Sequence, residues 1–105
     1  MNVRPILLGL ALTGCVSSSS ERIIDQIEQT VHMPSGAKEL KMYRRYYYRD
    51  NRAVVGTYVL SGKPGHEWRT KDKMIMVLDG GCAVVNVVFS IKDNRVTYTA
   101  CNGVA

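Results

Sequence analysis

Apolar residues recur at the three- and four-residue spacing of an α-helix in the segment that follows four consecutive serines. The positions of this apolar stripe are Ile23, Ile24, Ile27 and Val31. Ser18 and Glu21 have the spacing of a capping box at a helix start, and Pro34-Ser35-Gly36 ends the pattern. The sequence therefore predicts one amphipathic helix of about three turns, which is too short to be stable without packing on other elements.

Beyond the helix, β-branched and aromatic residues dominate five segments separated by turn-forming residues, which is typical of strands. The predicted strands are Lys38–Arg49, Ala53–Leu60, Met74–Leu78, Ala83–Lys92 and Arg95–Cys101. The polar stretch from Ser61 to Lys73 is predicted to be a loop because it contains three glycine or proline residues. We therefore expect an α+β fold, in which one N-terminal amphipathic helix packs on a four- to five-stranded antiparallel sheet.

Two Asp-Asn-Arg tripeptides, Asp50-Asn51-Arg52 and Asp93-Asn94-Arg95, mark the predicted hairpin turns. Asp and Asn tolerate the positive φ angles that tight hairpin turns require. A first turn centred on its Asp-Asn pair places Tyr48 opposite Ala53.

Alternation along a strand divides the stretch "MYRRYYYRD", residues 42–50, between the two faces of the sheet. We assign one set of side chains to the face that meets the helix: Leu40, Met42, Tyr46 and Tyr48. The alternate set is predicted to form a basic and aromatic row on the open face: Lys41, Tyr43, Arg45, Tyr47 and Arg49.

Length and charge limit the class of protein. The 105 residues allow one hydrophobic core, and 22% charged residues are too few for a disordered chain. The formal net charge is +5, and six cations lie between Lys38 and Arg52, where only Glu39 and Asp50 oppose them. The positive charge is therefore local, as in a surface patch.

The N-terminal sequence "MNVRPILLGLALTGC" has a positive start at Arg4 and an apolar run from Ile6 to Leu12. Seven residues fall well short of the ~20 that a membrane-spanning helix needs. The ending Leu12-Thr13-Gly14-Cys15 resembles the lipobox of bacterial lipoproteins. The resemblance implies cleavage before Cys15, a diacylglycerol on its sulfur and a fatty acid such as palmitate on the new amino group.

The same resemblance divides the chain into three parts. Residues 1–14 are expected to be a cleaved signal peptide, residues 15–20 a lipidated, Ser-rich tether, and residues 21–105 a single α+β domain. Val16 occupies the second position of the mature chain, where an aspartate would resemble an inner-membrane retention signal. The expected location is therefore the outer membrane, with the domain facing the periplasm.

With Cys15 lipidated, Cys82 and Cys101 remain as a pair, and a disulfide contributing roughly 3 kcal/mol is the preferred interpretation over a metal or redox site. The predicted second hairpin places Cys101 opposite Asn86, four residues and about 13 Å from Cys82, which is beyond disulfide reach. Either the chain bends back at Gly80-Gly81 or a bulge shifts the register; the sequence leaves both open.

The basic and aromatic residues of the predicted row suit single-stranded nucleic acid, but a lipoprotein outside the cytoplasm seldom meets nucleic acid, and this interpretation is therefore not preferred. Two interpretations remain for the row. It is either a solvated face, or a docking surface for an anionic envelope component or an acidic partner. Trp68 is either an interface anchor in its loop or a lid over one end of the sheet.

Motifs for catalysis are lacking in the sequence. His32 and His66 are far apart, and no Gly-x-Ser-x-Gly element occurs. Asp25 and Glu28 neighbour each other on the helix, where a solvated surface is the usual explanation. We expect no enzyme activity, no metal and no cofactor.

The C-terminal stretch "DGGCAVVNV…CNGVA" weakly resembles small Gram-negative envelope lipoproteins that have no assigned activity. The expected function is that of an outer-membrane lipoprotein acting as a non-enzymatic binding or envelope-assembly accessory protein, with an envelope protein or anionic envelope component as partner. The alternative is an inhibitor of a cell-wall hydrolase.

Overall fold

The computed structural model describes residues 19–103. The lipobox, Cys15, the Ser18 cap and most of the predicted tether lie outside the described residues. The elements are α1 (Ser19–Thr30), β1 (Arg44–Asp50), β2 (Ala53–Val59), β3 (Gly65–Trp68), β4 (Val84–Ser90) and β5 (Arg95–Cys101). Three single 3₁₀ turns interrupt the connections, at Leu40–Met42, Lys71–Lys73 and Gly81–Ala83.

Helix α1 packs its apolar stripe on the sheet, as predicted. Ile24 and Ile27 are fully buried, and Ile23 and Val31 pack against the same core. The helix ends at Thr30, a few residues before the proline, although the Val31 N–H still donates to the Ile27 carbonyl at 2.8 Å. With twelve residues, the helix has the predicted length of about three turns.

The five strands form one mixed sheet in the order β3-β1-β2-β4-β5. Every neighbouring pair is antiparallel except β1 and β3, which are parallel. The expectation of a purely antiparallel sheet is therefore wrong at this edge. After β2 the chain passes the end of β1 and returns on its far side, so that β3 runs in the same direction as β1. The sequence pattern does not predict β3 because "GHEW" is short and polar, as edge strands often are.

The predicted strand Met74–Leu78 is also wrong, because this segment belongs to an irregular connection that follows β3. Strands β1 and β2 separate β3 from β4, so the connection has to cross them. It does so on the face opposite α1, which we call the second face. Strands β2 and β5 occupy both sides of β4, and the segment therefore cannot pair with β4, the next strand along the chain.

Strand alternation is correct in the first hairpin, but the predicted register and faces are not. The turn is Asn51-Arg52, with Asn51 at φ 57°, and Tyr48 pairs with Val55 instead of Ala53. The register differs by two residues from the prediction, which preserves which residues share a face. A two-residue loop with Asn in the left-handed region matches the strand twist, and the turn is therefore one residue later than predicted.

The face assignment of β1 is inverted. Tyr43, Arg45 and Tyr47 are buried beneath α1, whereas Tyr46 and Tyr48 are partly exposed on the second face. Large rings fill the helix side because Gly56 leaves room there: a Cβ at Gly56 would lie 3.0 Å from the Tyr47 ring. Both alternate sets contain tyrosines, and the sequence pattern therefore cannot tell which set is inside.

Cys82 and Cys101 form the predicted disulfide, with a Cα–Cα distance of 4.5 Å. One of the two devices that the sequence leaves open brings the cysteines together: the 3₁₀ turn Gly81–Ala83 bends Cys82 back toward β5. The turn starts after Gly80 at φ 111°, in the left-handed region that favours glycine. The bridge therefore fastens the start of β4 to the end of β5.

The predicted tight turn at Asp93-Asn94 is wrong, because Ser90 pairs with Arg95 across a four-residue loop, and this moves Cys101 closer to Cys82 along β4. A register shift between Val88 and Phe89 is also present, but it acts in the opposite direction by one residue and leaves Cys101 opposite Val85.

Candidate functional site

The predicted basic and aromatic row does not exist as a surface. Lys41 and Arg49 are exposed, but Tyr43, Arg45 and Tyr47 between them are buried under α1. The Arg49 Nε atom donates to the Asn51 carbonyl at 2.9 Å, within the turn of the hairpin. The row is therefore three interior residues flanked by two separate surface cations.

Arg45 is the centre of a buried ionic contact between helix and sheet. Its Nε donates to Glu28 Oε2 at 2.8 Å, and its Nη1 donates to the carbonyls of Leu40 and Tyr43 at 3.2 and 3.0 Å. Only 7% of Arg45 is exposed. The prediction of a solvated helix surface for Glu28 is therefore wrong. Glu28 lies four residues after Ile24, on the buried side of the helix, and that spacing is the signal that was available in the sequence.

Two tyrosine hydroxyls complete this buried network. Tyr47 donates to Glu28 Oε2 at 2.8 Å, and its hydroxyl lies 2.7 Å from that of Tyr58. Burial, followed by the neighbouring Tyr58, raises the pKa of Tyr47 far above its ordinary value, and burial also raises the pKa of Tyr58. Both hydroxyls therefore stay protonated, and Tyr58 donates to the oxygen of Tyr47. The network holds α1 on the sheet and offers no ionised nucleophile.

The remaining buried tyrosine, Tyr43, connects two other parts of the chain. Its hydroxyl donates to the Cys82 carbonyl at 2.6 Å and accepts the Lys38 N–H at 3.0 Å. Its ring is tilted against that of Tyr58, with centroids 6.2 Å apart. Tyr43 therefore positions the disulfide-bearing turn relative to the start of β1.

The two histidines are not brought together. His66 on β3 lies with Nε2 3.2 Å from Glu21 Oε1 and Nδ1 3.7 Å from Glu28 Oε2, whereas His32 is exposed after the end of α1. Among residues 19–103, the structure contains no group of three or more His, Cys, Asp or Glu side chains arranged for a metal ion.

A cation–π stack lies on the second face at the β3 edge. The guanidinium carbons of Arg44 and Arg69 lie 5.5 and 4.3 Å from the centroid of the Tyr46 ring. Glu67 pairs with both arginines, and Arg69 Nε donates to it at 2.7 Å. Hydrogen bonds from Arg69 and then Arg44 lower the pKa of Glu67, and the bond to Glu67 raises that of Arg44. The arginines of this stack are therefore already paired with a carboxylate.

Trp68 belongs to β3, opposite Tyr47, and not to a loop. It is half-buried and packs against the core. Together with Arg69, Thr70 and Lys73 it also borders a shallow cavity of about 470 Å³. The side chain thus covers the β3 edge of the core while part of it stays in contact with solvent.

The most exposed apolar residues of the described chain lie elsewhere, in the connection across the second face. Met76 is 84% exposed and Leu78 is 80% exposed, and Val77 lies between them. Val77 and Leu60 also border a groove of about 320 Å³. We call Leu60, Met76, Val77 and Leu78 the apolar strip. The sequence predicts a strand over Met74–Leu78, and the exposure of its apolar side chains becomes apparent only from the irregular course of this connection in the structure.

The backbone of the apolar strip is held in place by one side chain. Asn102 Nδ2 donates to the carbonyls of Val77 and Asp79 at 2.7 and 3.0 Å. Asn102 Oδ1 in turn accepts from Asn86 on β4 at 2.6 Å. The exposed apolar side chains are therefore carried by a fixed backbone.

Comparison with protein-family models, curated proteins and solved structures gave no match, and the class of protein is therefore argued from the chain's own residues. Within the part of the chain that the structure describes, no helix is both long and apolar enough to cross a membrane.

Proposed function

We propose that the protein is a small outer-membrane lipoprotein that acts as a non-enzymatic binding or assembly accessory of the envelope. In this proposal Cys15 carries the lipid anchor, the domain faces the periplasm, and the apolar strip docks an envelope protein. The observation that supports docking is the exposure of Met76 and Leu78 on a backbone fixed by Asn102. The lipobox resemblance supports the location.

Single exposed apolar residues are common on protein surfaces, but a contiguous group with two almost fully exposed side chains is typical of an interaction site. The fixed backbone favours binding because less conformational freedom is lost when a partner docks. Methionine side chains adapt to different apolar surfaces, which suits a docking position. These features together favour a protein partner with an apolar segment.

An anionic envelope component is less well matched by the second face. Arg44 and Arg69 already share Glu67, and Lys71 lies 3.4 Å from a carboxylate oxygen of Asp50. Such pairs are exposed and contribute little individually. An anion would have to compete with a carboxylate at each of these positions.

Replacement of Cys15 by alanine is expected to abolish fatty-acid labelling and to leave an unprocessed or soluble form. The reason is that the lipid is attached through the Cys15 sulfur in this proposal. The measurement is metabolic labelling with a fatty acid, combined with fractionation of membranes. A variant that still labels and still fractionates with the outer membrane would overturn the proposed anchor.

Docking through the apolar strip is tested by site-specific photo-crosslinking in cells, with a photoreactive residue in place of Val77. We expect one discrete protein adduct, and its yield should fall roughly tenfold in a Met76→Ser/Leu78→Ser background, since two interface side chains contribute more than 1.4 kcal/mol together. The matched control is Lys71→Ser/Lys73→Ser, which removes two cations from the same connection.

The control separates the possible partners. An adduct that is lost with the lysine variant and with added salt would indicate an anionic partner. A product that contains only lipid would mean that the strip touches the membrane. Either result, or equal yields in all three backgrounds, would contradict docking of a protein through the strip.

A further inference from the structure

Within residues 19–103, strand β5 is an edge of the sheet and pairs only with β4. It has seven residues, one charged side chain (Arg95) at its start, and no proline. Natural edge strands are normally shortened, charged or covered to prevent pairing with other chains. The opposite edge follows this rule, because β3 has four residues and carries His66 and Glu67. The β5 edge lacks these protections.

The hydrogen-bonding groups of this edge can be assigned from the ladder. The Asn102 N–H donates to the Val84 carbonyl at 2.9 Å, which makes Val85 and Cys101 a non-hydrogen-bonded pair. Alternation along the antiparallel ladder then directs the N–H and C=O of Thr99 away from β4. Among residues 19–103, no backbone hydrogen bond is made on this outer side.

We propose that β5 pairs antiparallel with β5 of a second copy of this chain, around a twofold axis at Thr99. In this register the two Thr99 residues exchange their outward N–H and C=O groups. Tyr98 of each copy, which is 54% exposed on the second face, then lies opposite Ala100 of the other copy. An aromatic ring beside a small residue gives a favourable cross-strand contact on both sides of the axis.

Charge and shape favour a second copy as the partner. Arg95 lies four residues from Thr99, so the two Arg95 side chains would be about 26 Å apart along the sheet, well beyond the screening length of about 8 Å. On the helix side, a groove of about 330 Å³ runs beside the strand between Thr30, His32 and Thr99. This groove leaves room for side chains of the added strand.

The symmetry also suits two anchored chains. A twofold axis perpendicular to the sheet keeps both α1 helices on the same face of the joined sheet. The first elements of both domains thus lie on the same face of the joined sheet, which allows both chains to be attached to one membrane. The proposed pairing does not use the apolar strip, and its test is therefore independent of the test for docking at that strip.

The test is thiol crosslinking of the full chain in membranes, with Ala100→Cys as the probe, which keeps the Tyr98 ring, and a bis-maleimide that spans about 8 Å. Two residues diagonal to each other across an antiparallel pair are separated by roughly this distance. We expect a covalent product of twice the mass. Adding Thr99→Lys, which places two like charges opposite each other at the axis, should lower its yield roughly fivefold or more. Thr70→Lys, an exposed position off the edge, should leave it unchanged.

A second variant distinguishes a loss of pairing from a loss of folding. Thr99→Pro removes the outward N–H without adding charge, and proline is tolerated where the N–H of an edge strand faces solvent. It should lower the yield while the far-ultraviolet circular dichroism stays that of the parent. The chain without Ala100→Cys should give no product, since Cys82 and Cys101 are bonded to each other and the Cys15 sulfur carries the lipid in the proposed function. Absence of the double-mass product, equal yields in all backgrounds, or a product with a different protein would overturn the proposal.

Discussion

Replacement of Arg45 by alanine is expected to lower the free energy of unfolding by roughly 3–5 kcal/mol, because it breaks a buried ion pair and leaves Glu28 without its charged partner. Arg45 Nε holds Glu28 at 2.8 Å, and Arg45 Nη1 also satisfies two backbone carbonyls. Their loss would remove one donor from each of three oxygens, although Glu28 Oε2 would keep the Tyr47 hydroxyl and the two carbonyls would keep backbone N–H groups. The measurement is urea unfolding with the disulfide intact.

The neighbouring arginines are matched controls for this effect. Arg44→Ala and Arg49→Ala remove cations on either side of Arg45 in the same strand, and each should cost under about 1 kcal/mol because these side chains are exposed or partly exposed. The double variant Arg45→Met/Glu28→Leu should recover much of the lost stability, since it removes both charges together. If Arg45→Ala were no worse than Arg44→Ala, the buried contact would have to be discarded.

Tyr47→Ala is expected to be similarly damaging, at roughly 3–5 kcal/mol, since it leaves a cavity in the centre of the core. The Tyr47 ring packs on Gly56 and lies edge-on to Tyr58, with ring centroids 5.7 Å apart. Its hydroxyl also bridges Tyr58 and Glu28. Thermal melting and urea unfolding should agree on the loss.

Two further variants separate packing from hydrogen bonding at this position. Tyr47→Phe keeps the ring and should cost about 1–3 kcal/mol, through the donor that Glu28 loses. Tyr46→Ala, one residue earlier, removes a ring from the second face and should cost about 1 kcal/mol, the usual size of a cation–π contact near the surface. A larger loss for Tyr46→Ala than for Tyr47→Ala would mean that the faces of β1 are the reverse of those described.

Local patterns in the sequence were sufficient for the elements that depend on local physics. The stripe of Ile24 and Ile27 predicted α1, and the Asp-Asn-Arg tripeptides predicted both hairpins. These predictions succeed because helix periodicity and turn chemistry depend on residues that are close in sequence. The Cys82–Cys101 disulfide was also predictable, and even the geometric conflict that it raised was informative. The bend after Gly80 resolves it, together with a four-residue loop between Ser90 and Arg95 that the sequence did not predict.

The errors concern contacts between parts of the chain that are distant in sequence. Alternation correctly separated Tyr46 from Tyr47, but which of them faces α1 depends on Gly56 in the next strand and on Glu28 in the helix. The strand β3 exists because β1 has a free side, which no property of "GHEW" reveals. The predicted basic and aromatic row is wrong for the same reason, because residue type and alternation do not determine which face of β1 meets solvent.

The hydrogen bonds of Asn102 determine when, during synthesis of the chain, the apolar strip takes its final shape. The Asn102 side chain fixes the carbonyls of Val77 and Asp79, and its N–H lies 3.1 Å from the Gly81 carbonyl. The strip precedes Asn102 by more than twenty residues, so a nascent chain synthesised only as far as Leu78 has no means of holding this backbone. The strip thus takes this shape only after β5 has joined the sheet, and a partially synthesised chain does not yet present it.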